Sequence, residues 1–581
     1  MVLSWIDWLV VLLYFLVSMA IGLIYTRKAG TSIQSFFISG RSLPWWLVGT
    51  SMVATTFAAD TPLAVTGMVA NDGIAGNWLW WNMALSGILT VFLYARLWRR
   101  AEVVTDVEFT ELRYSGKPAA FLRGFRALYL ALPINCITMG WVTLAMAKIV
   151  TMTVGIDKWL AISICLGVTV IYSAFSGLWG VVITDFFQFI IAMIGSLVLA
   201  VSAVNAVGGI EAMKVKVASA SVHGADVLNF LPRLDGSWLP LSTVFVYIAV
   251  IWWAAWYPGA EPGGGGYIAQ RMFAAKDEKH SLLAALWFNI AHYALRPWPW
   301  ILVAIASIIL FPNAPDKEAG YISVMIAHLP PYLRGLMIAS FAAAFMSTIA
   351  TQINVATSYF VNDFYVRFIN KDASQKHYVL VSRIATFALL IIAALVTLMM
   401  NTVVGAFKFI MTIGAGTGLV YILRWFWWRI NAWSEVTAMA ASLVVSTILM
   451  IMGYTTDTNK GFTVLMLVTT VISTTAWVTV TFLTKPVPDE HLEKFYRRVQ
   501  PGGRLWKRIS DRIPEHELAF AKPHIGLDFM NWILGSFSVW LFLFGIGRLI
   551  IGPRLHGFIY IVTGIAFFIV IYLGLSQKEK K

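Results

Sequence analysis

The sequence predicts an all-α protein that crosses a membrane many times, and its composition supports this fold class. Of its 581 residues, 59% are hydrophobic and only 12% are charged, and the mean hydropathy is +0.75. Soluble proteins carry about 25% charged residues. This chain therefore lacks the charged surface that a soluble multidomain enzyme of the same length requires. Its apolar residues also fall into long runs, as membrane-spanning helices require.

The charge balance and the cysteines exclude other classes. Lys and Arg number 43 and Asp and Glu 29, which gives a net charge of +14. In a soluble chain this excess would suggest nucleic acid. In a chain this apolar it indicates basic cytoplasmic loops, and we expect no nucleic-acid partner. Cys136 and Cys165 both lie in apolar runs, so the sequence has no disulfide framework and no zinc-type spacing.

Fifteen segments are long and apolar enough to be membrane spans, since a helix needs about 20 such residues to cross the hydrocarbon core. We name them M0 to M14. They lie near residues 5–25, 43–70, 77–98, 124–151, 158–178, 180–206, 238–260, 282–311, 335–361, 377–400, 403–424, 435–453, 462–484, 529–549 and 555–576.

The positions of the basic residues predict the orientation in the membrane. With the N-terminus outside and alternating spans, 31 of the 43 basic residues lie on the inner side and 9 on the outer side. The other 3, Lys148, Arg296 and Lys408, lie within spans. Because basic residues favour the cytoplasmic side, we expect a multi-pass cell-membrane protein with an outer N-terminus and a cytoplasmic C-terminus.

Two spans contain residues that interrupt a regular helix. M1 carries small and hydroxylated residues, an acid and a proline at 51–62, and M6 ends in four glycines, 263–266, preceded by two prolines. Interrupted spans at matching positions of two repeats indicate a transporter binding site, and M1 and M6 are five spans apart. Helix packing and a kink in M1, or a plain loop after M6, are the alternatives.

The span pattern predicts a five-plus-five inverted repeat with additional helices. The predicted parts are a leading helix M0 with a cytoplasmic loop (1–42), the first repeat M1–M5 (43–206), an extracellular loop (207–237), the second repeat M6–M10 (238–424), helices M11–M12 (425–484), a cytoplasmic basic amphipathic segment (485–527), and helices M13–M14 with the tail (528–581). In the segment 485–527, we expect short helices lying on the membrane surface, with a regulatory domain as the alternative.

Ionisable residues within the spans are candidate functional groups, because charges at membrane depth are costly. The acids are Asp60, Asp185 and Glu261, and the basic candidates are His292 and Arg296, which share one face of M7. Arg296 has two interpretations: an ion pair with one of these acids, or a hydrogen bond to a carboxylate or hydroxyl of a bound solute.

M8 carries a stripe of small and hydroxylated residues on one helical face. Ala344, Ser347, Thr348 and Thr351 follow an i, i+3, i+4, i+7 spacing. Hydroxyl and carbonyl oxygens suit a partly dehydrated Na⁺, because hard cations bind oxygen. Ser and Thr stripes also hold helices together, so the spacing leaves both interpretations open.

Four motifs in chain order resemble the sodium:solute symporter family, which includes sodium/glucose and sodium/proline cotransporters. They are Phe36–Trp46 entering M1, Ser176-Gly177 with Thr184-Asp185 and Gln188 in M5, Gln270-Arg271 with Ala274-Ala275-Lys276 after M6, and Ala344–Thr348 in M8 with Asp363–Tyr365 beyond. Each motif alone is short. Together they make a specific set that extends over about residues 36 to 365.

The resemblance implies one Na⁺ between M1 and M8. When the Na⁺ ligands of the family are placed on the matching motif positions of this sequence, they are the backbone carbonyls of Ala54, Phe57 and Ala344 and the hydroxyls of Ser347 and Thr348. A second Na⁺ or an ion route would use Asp185, Thr61 and Thr351. Ala58 and Ala350 offer no side-chain oxygen there, which argues against a second ion.

The resemblance also implies transport by alternating access, with Na⁺ flowing inward. Acids and tryptophans suit a sugar or another polyhydroxylated solute, whereas an amino acid or carboxylate is the alternative. The predicted solute-binding residues are Thr56, Asp60, Thr61, Trp253, Trp256, Tyr257, Glu261, His292 and Arg296.

Three rival functions remain at this stage: a non-transporting solute sensor, a channel and a membrane enzyme. We expect no enzymatic activity, because no metal cluster or nucleophile–base pair occurs at membrane depth. The expected partners are Na⁺, a small solute and the lipid bilayer, with no obligate protein partner.

Overall fold

The computed structural model describes residues 3–29, 42–103, 106–173, 178–221, 224–232, 240–254, 261–520 and 524–579, and within these ranges the chain is helical with no β-strand. Every predicted span coincides with helical structure. Ten helices are long and apolar enough to cross a membrane, or up to twelve if each of two bent pairs is one span. The remaining three spans, M0, M4 and M6, coincide with shorter apolar helices.

The helices of the spans have the following bounds: M0 Trp5–Ala29, M1 Trp45–Thr55 (M1a) and Asp60–Asp72 (M1b), M2 Ile74–Ala101, M3 Gly116–Val154, M4 Lys158–Ser173, M5 Leu178–Ala206, M6 Leu241–Ala249 (M6a) and Gly266–Ala274 (M6b), M7 Glu278–Leu310, M8 Pro331–Ile369, M9 Gln375–Met399, M10 Val403–Gly414 (M10a) and Gly418–Phe426 (M10b), M11 Ala432–Ile451, M12 Asn459–Leu483, M13 Ile525–Ile551 and M14 Arg554–Glu579.

M1 is broken where the sequence predicts it. M1a and M1b meet at 61° across the residues between Thr55 and Asp60. Pro62 is the third residue of M1b, where its missing N–H costs no helical hydrogen bond. The break therefore leaves the carbonyl end of one helix and the amide end of another within the protein.

The start of M1 and the end of M6 lie side by side. The amide of Leu43 donates to the carbonyl of Ala274 (3.2 Å), and the amide of Lys276 donates to the carbonyl of Leu43 (3.1 Å). One residue lies at the beginning of M1 and the others at the end of M6, so the two spans run in opposite directions. An inverted repeat requires this arrangement.

M10 is the third broken span, with an angle of 47° between its halves. Gly418, the first residue of M10b, lies against the backbone of M6, and a Cβ at this position would overlap the carbonyl oxygen of Trp253. Gly418 therefore allows close packing between M6 and M10.

The variant Gly418→Ala is expected to lose about 3 kcal/mol or more of folding stability, because neither backbone can yield to the added methyl group without moving a helix. Thermal unfolding of the purified protein measures this loss. Gly526→Ala in M13 is the matched control, since a Cβ at Gly526 has no atom within 4 Å. Equal unfolding temperatures for the two variants would contradict the packing argument.

The described part of the segment 485–527 packs on the helix ends, and its predicted position on the membrane surface stays a prediction. It forms the helix Asp489–Val499 and the short helix Lys507–Ser510. Phe495 and Trp506 are fully buried, and the indole N–H of Trp506 donates to the carbonyl of Trp425 at the end of M10 (2.7 Å). These two aromatic side chains are thus covered by protein, whereas Leu505 is 50% exposed.

Candidate functional site

The broken end of M1a presents carbonyl groups that lack helical partners, as every helix C-terminus does. Side chains of neighbouring spans bind several of them. Arg296 of M7 donates from Nη1 to the carbonyl of Val53 and from Nη2 to that of Thr56, each at 3.1 Å. Thr348 of M8 donates to the carbonyl of Thr55 (3.4 Å). M7 and M8 therefore meet at the end of one half-helix.

One of the predicted Na⁺ ligands, Thr348 of M8, contacts this end of M1a. M1a packs against M8, and Ala344, Ser347 and Thr348 are buried there, each less than 9% exposed. On M1a, the carbonyl of Ala54 accepts from the amide of Phe57 (2.9 Å) at the start of the break. The arrangement combines hydroxyl and carbonyl oxygens at the negative end of a helix dipole, which favours a cation.

Arg271 belongs to one of the four family motifs, but no role was predicted for it from sequence. Its guanidinium is buried and donates to the hydroxyls of Ser51 (3.2 Å) and Thr55 (3.1 Å) on M1a. M6b therefore holds M1a from a second side. A buried arginine paired with hydroxyls is not recognisable from spacing alone.

A cavity lies beside the M1 break, and we call it the central cavity. Five of the predicted solute-binding residues line it: Thr56, Asp60, Thr61, His292 and Arg296. Thr348 of the predicted Na⁺ set lines it as well. The lining residues that sequence reasoning missed include Trp80, Met83, Thr138, Trp141, Tyr267, Tyr293, Gln352 and Phe407.

Asp60 is the first residue of M1b and is only 6% exposed. Its Oδ1 atom accepts no hydrogen bond from the part of the chain that the structure describes. A buried polar atom without a partner is costly, and this one belongs to a residue that lines the central cavity. The carboxylate interacts with the side chains of Trp141 and Arg296, and its Oδ1 atom is suited to accept a hydrogen bond from a bound molecule.

Arg296 binds the broken end of M1a and also interacts electrostatically with Asp60 of M1b, and its role toward a solute stays a prediction. Besides the carbonyls of Val53 and Thr56, its Nη1 donates to the hydroxyl of Thr56 (3.1 Å). The same hydroxyl lies 3.1 Å from Nδ1 of His292. Arg296 thus caps the end of M1a, and both Nη atoms are bound to M1.

Glu261 lies in a group of buried charged side chains. Both of its carboxylate oxygens accept from Nη2 of Arg126, at 3.0 and 2.9 Å. Arg126 also pairs with Asp106 (3.3 Å) and Glu435 (3.4 Å), and Arg424 lies 3.4 Å from Glu435. We call these five residues the ion cluster. It ties M3, M6, M10 and M11 together.

The other predicted site residues are placed differently. Trp253 is half-buried, donates from its indole N–H to the carbonyl of Ala249 (2.8 Å), and is not part of the cavity lining. Thr351 is half-buried on M8 outside that lining. Trp256 and Tyr257 lie outside the described residues, as does the side chain of Asp185. The second-ion prediction therefore stays a prediction.

A second cavity, the inner cavity, adjoins the central one. Its own lining includes Ser86, Gly87, Thr90, Glu261, Gly264, Phe288 and Asn289. Five residues line both cavities and so lie between them: Thr56, Met83, Tyr267, His292 and Tyr293. The rings of His292 and Tyr293 pack edge to face, with centroids 4.4 Å apart. A layer of aromatic side chains thus separates the two cavities.

A helical membrane protein with broken spans in opposite directions and a polar cavity at a break has the architecture of a secondary transporter. Comparison with known proteins gives the family. The sequence model of the sodium:solute symporter family matches residues 36–444. The chain belongs to this family, as the motifs predict: it is a Na⁺-coupled symporter of a small solute in the membrane, and it is not an enzyme.

Individual relatives agree with this family. The chain is 26% identical over 549 residues to sodium/glucose cotransporter 1 of Mus musculus, which covers 84% of this chain and 80% of the relative. It is 27% identical over 470 residues to a sodium/glucose cotransporter of Vibrio parahaemolyticus, covering 76% and 84%. Sodium/myo-inositol cotransporter 2 of Mus musculus is 27% identical over 485 residues, covering 77% and 70%.

A solved structure supports the fold. The chain superposes on a Na⁺-coupled sialic acid symporter in a substrate-bound outward-open state with a TM-score of 0.63, at 17% identity, over 84% of this chain and 99% of that one. The predicted all-α fold with an inverted-repeat transporter core is therefore confirmed.

Proposed function

We propose that the protein couples inward Na⁺ flow to uptake of a sugar or related polyhydroxylated solute by alternating access. The solute class is inferred from Asp60, which lines the central cavity and whose Oδ1 atom has no hydrogen-bond partner among the described residues. A hydroxyl group of a solute would satisfy this acceptor. The solutes for which the relatives are named, glucose and myo-inositol, are of the same chemical class.

The lining of the central cavity favours a hydroxylated solute. Three N–H groups of Arg296 hold the end of M1a, so the structural role of this guanidinium is accounted for without a solute carboxylate. The remaining wall is aromatic, with Trp80, Trp141 and Tyr267 among the lining residues. Aromatic faces beside a few hydrogen-bonding groups suit the apolar face and the hydroxyl edge of a sugar.

The Na⁺ site proposed from the family motif uses the carbonyls of Ala54, Phe57 and Ala344 with the hydroxyls of Ser347 and Thr348. Support comes from the packing of M1a against M8 and from the hydrogen bond between Thr348 and the carbonyl of Thr55. A Na⁺ bound there would hold M1 against M8 and favour the conformation that accepts the solute. The membrane potential adds about 2.3 kcal/mol per charge per 100 mV.

The proposed orientation places the ion cluster and the segment 485–520 on the cytoplasmic side of the cell membrane, with the N-terminus outside and the C-terminus inside. The basic residues on this side support it. Opening toward the cytoplasm then requires the ion cluster to separate, since it joins Arg126 of M3 to Glu261 of M6 and Glu435 of M11.

Uptake into proteoliposomes tests the proposal. With purified full-length protein, tritiated D-glucose or myo-inositol is expected to accumulate when a Na⁺ gradient points inward, and not when K⁺ replaces Na⁺. Sialic acid and proline serve as carboxylate-bearing comparisons. Accumulation of these two without the polyols would contradict the solute class. Binding without counterflow would identify a sensor, and unsaturable current without solute would identify a channel.

A further inference from the structure

The inner cavity contains a buried polar group that the proposed mechanism does not use. Asn289 of M7 lines this cavity and is 1% exposed. Its Nδ2 atom donates to the carbonyl of Ala285 in its own helix (2.8 Å). Its Oδ1 atom accepts no hydrogen bond from any described residue. A carboxamide oxygen left without a partner costs about 1–3 kcal/mol, so the site is suited to a donor supplied by a bound molecule.

M2 is shaped to accommodate this side chain. Gly87 lines the same cavity, and a Cβ built on it would overlap Oδ1 of Asn289. Any larger residue at Gly87 would displace the carboxamide. The absence of a side chain at Gly87 thus leaves room for Oδ1 of Asn289 between M2 and M7, at the edge of the cavity that both residues line.

The other polar groups of the inner cavity are uncharged or already paired. Ser86 and Thr90 contribute hydroxyl-bearing side chains to the lining. Glu261 also lines it, but both of its carboxylate oxygens accept from Arg126. A charged solute would meet no free counter-charge among these residues, whereas a neutral solute rich in hydroxyl groups matches them.

We propose that the inner cavity is a second binding position for the transported polyhydroxylated solute, with Oδ1 of Asn289 accepting a solute hydroxyl. The position lies beyond the layer formed by Tyr267, His292 and Tyr293, on the side of the ion cluster, since Glu261 belongs to both. The solute occupies it after leaving the central cavity and before the ion cluster separates. This inference rests on the solute class given under the proposed function.

A subsite on one side of the aromatic layer predicts a one-sided effect. Full-length protein carrying Asn289→Ala is compared with wild type in right-side-out and everted membrane vesicles, with tritiated D-glucose and tritiated myo-inositol as probes. The half-saturating concentration is expected to rise about threefold to tenfold, the range of one lost hydrogen bond, from the side that carries the segment 485–520. From the other side it is expected to change by less than about twofold.

Asn82→Ala in M2 is the matched control. Asn82 has the same local arrangement, with Nδ2 donating to the carbonyls of Trp78 (2.6 Å) and Leu79 (3.0 Å) and Oδ1 without a partner among the described residues, but it lines neither cavity. Its half-saturating concentrations are expected to match wild type from both sides. Asn289→Ser replaces Asn289→Ala if the alanine variant does not fold.

Three results would overturn the inference. An equal rise from both sides would mean that Asn289 supports the fold or the central cavity. Unchanged half-saturation with lowered thermal stability would mean that the carboxamide binds only water. Absence of uptake of both probes by wild type would show that the proposed solute class is wrong, and the inference would fall with it.

Discussion

Replacing Ser347 and Thr348 together by alanine is expected to abolish Na⁺-dependent uptake while the protein still folds. The double variant removes two of the five proposed Na⁺ ligands and the hydrogen bond from Thr348 to the carbonyl of Thr55. At roughly 1.5–3 kcal/mol for each interaction with a charged group, the loss weakens Na⁺ binding by more than about a hundredfold.

Two measurements detect the loss of Na⁺ binding and of coupling in the double variant. Uptake in proteoliposomes reports coupling, and the unfolding temperature as a function of NaCl reports Na⁺ binding, because a bound ion stabilises the folded state by mass action. Ser340→Ala is the control on M8, since Ser340 is buried and its hydroxyl donates to the carbonyl of Leu336 in the same helix. Undiminished uptake by the double variant would refute the proposed Na⁺ site.

Asp60→Asn is the second substitution with a large expected effect. It replaces a charged acceptor by a neutral one at the point where Oδ1 has no partner among the described residues. A hydrogen bond to a charged group is worth about 1.5–3 kcal/mol, so solute affinity is expected to fall about tenfold to a hundredfold. The Na⁺-dependent rise in unfolding temperature is expected to persist, because Asp60 is not among the proposed Na⁺ ligands.

The control for this substitution is at the other end of the same half-helix. Asp72 is the last residue of M1b and lines neither cavity. Asp72→Asn is therefore expected to leave solute affinity unchanged. Solute-induced stabilisation of the purified protein, with D-glucose and myo-inositol as probes, measures both variants. Equal affinity of Asp60→Asn and wild type would show that the carboxylate does not contact the solute.

The helices and the break in M1 were predictable because they depend on local chemistry. Long apolar runs locate the spans, and Pro62 close after Asp60 locates the interruption. The stripe of small and hydroxylated residues on M8 was also predictable from its spacing. It extends to Gln352, which was not predicted as a site residue: Gln352 follows Thr348 by four positions and lines the central cavity.

The contacts of individual side chains were less accessible from sequence. Glu261 follows the interrupted part of M6, and the direction of a side chain there depends on backbone dihedrals that spacing does not reveal. Its partner Arg126 is 135 residues away. No sequence pattern indicates a binding role for Asn289, because a single asparagine in an apolar span is typical of a helix-packing residue. Its position in a cavity lining is known only from the structure.

The same limit applies to the segment 485–527. Its pattern of apolar and charged residues predicts amphipathic helices, and the structure contains them. An amphipathic pattern does not specify whether lipid or protein covers the apolar face. Here Trp425 at the end of M10 contacts Phe495 and Trp506 of that face.

The capping of M1a has a consequence for linkage between the two ligands. Arg296 of the central cavity and Thr348 of the proposed Na⁺ site bind carbonyls of adjacent or nearly adjacent residues on one half-helix. A change in the position of that helix end alters both sites at once, with no further relay. Linkage is reciprocal, so the factor by which Na⁺ raises solute affinity equals the factor by which the solute raises Na⁺ affinity, and both are set at one helix terminus.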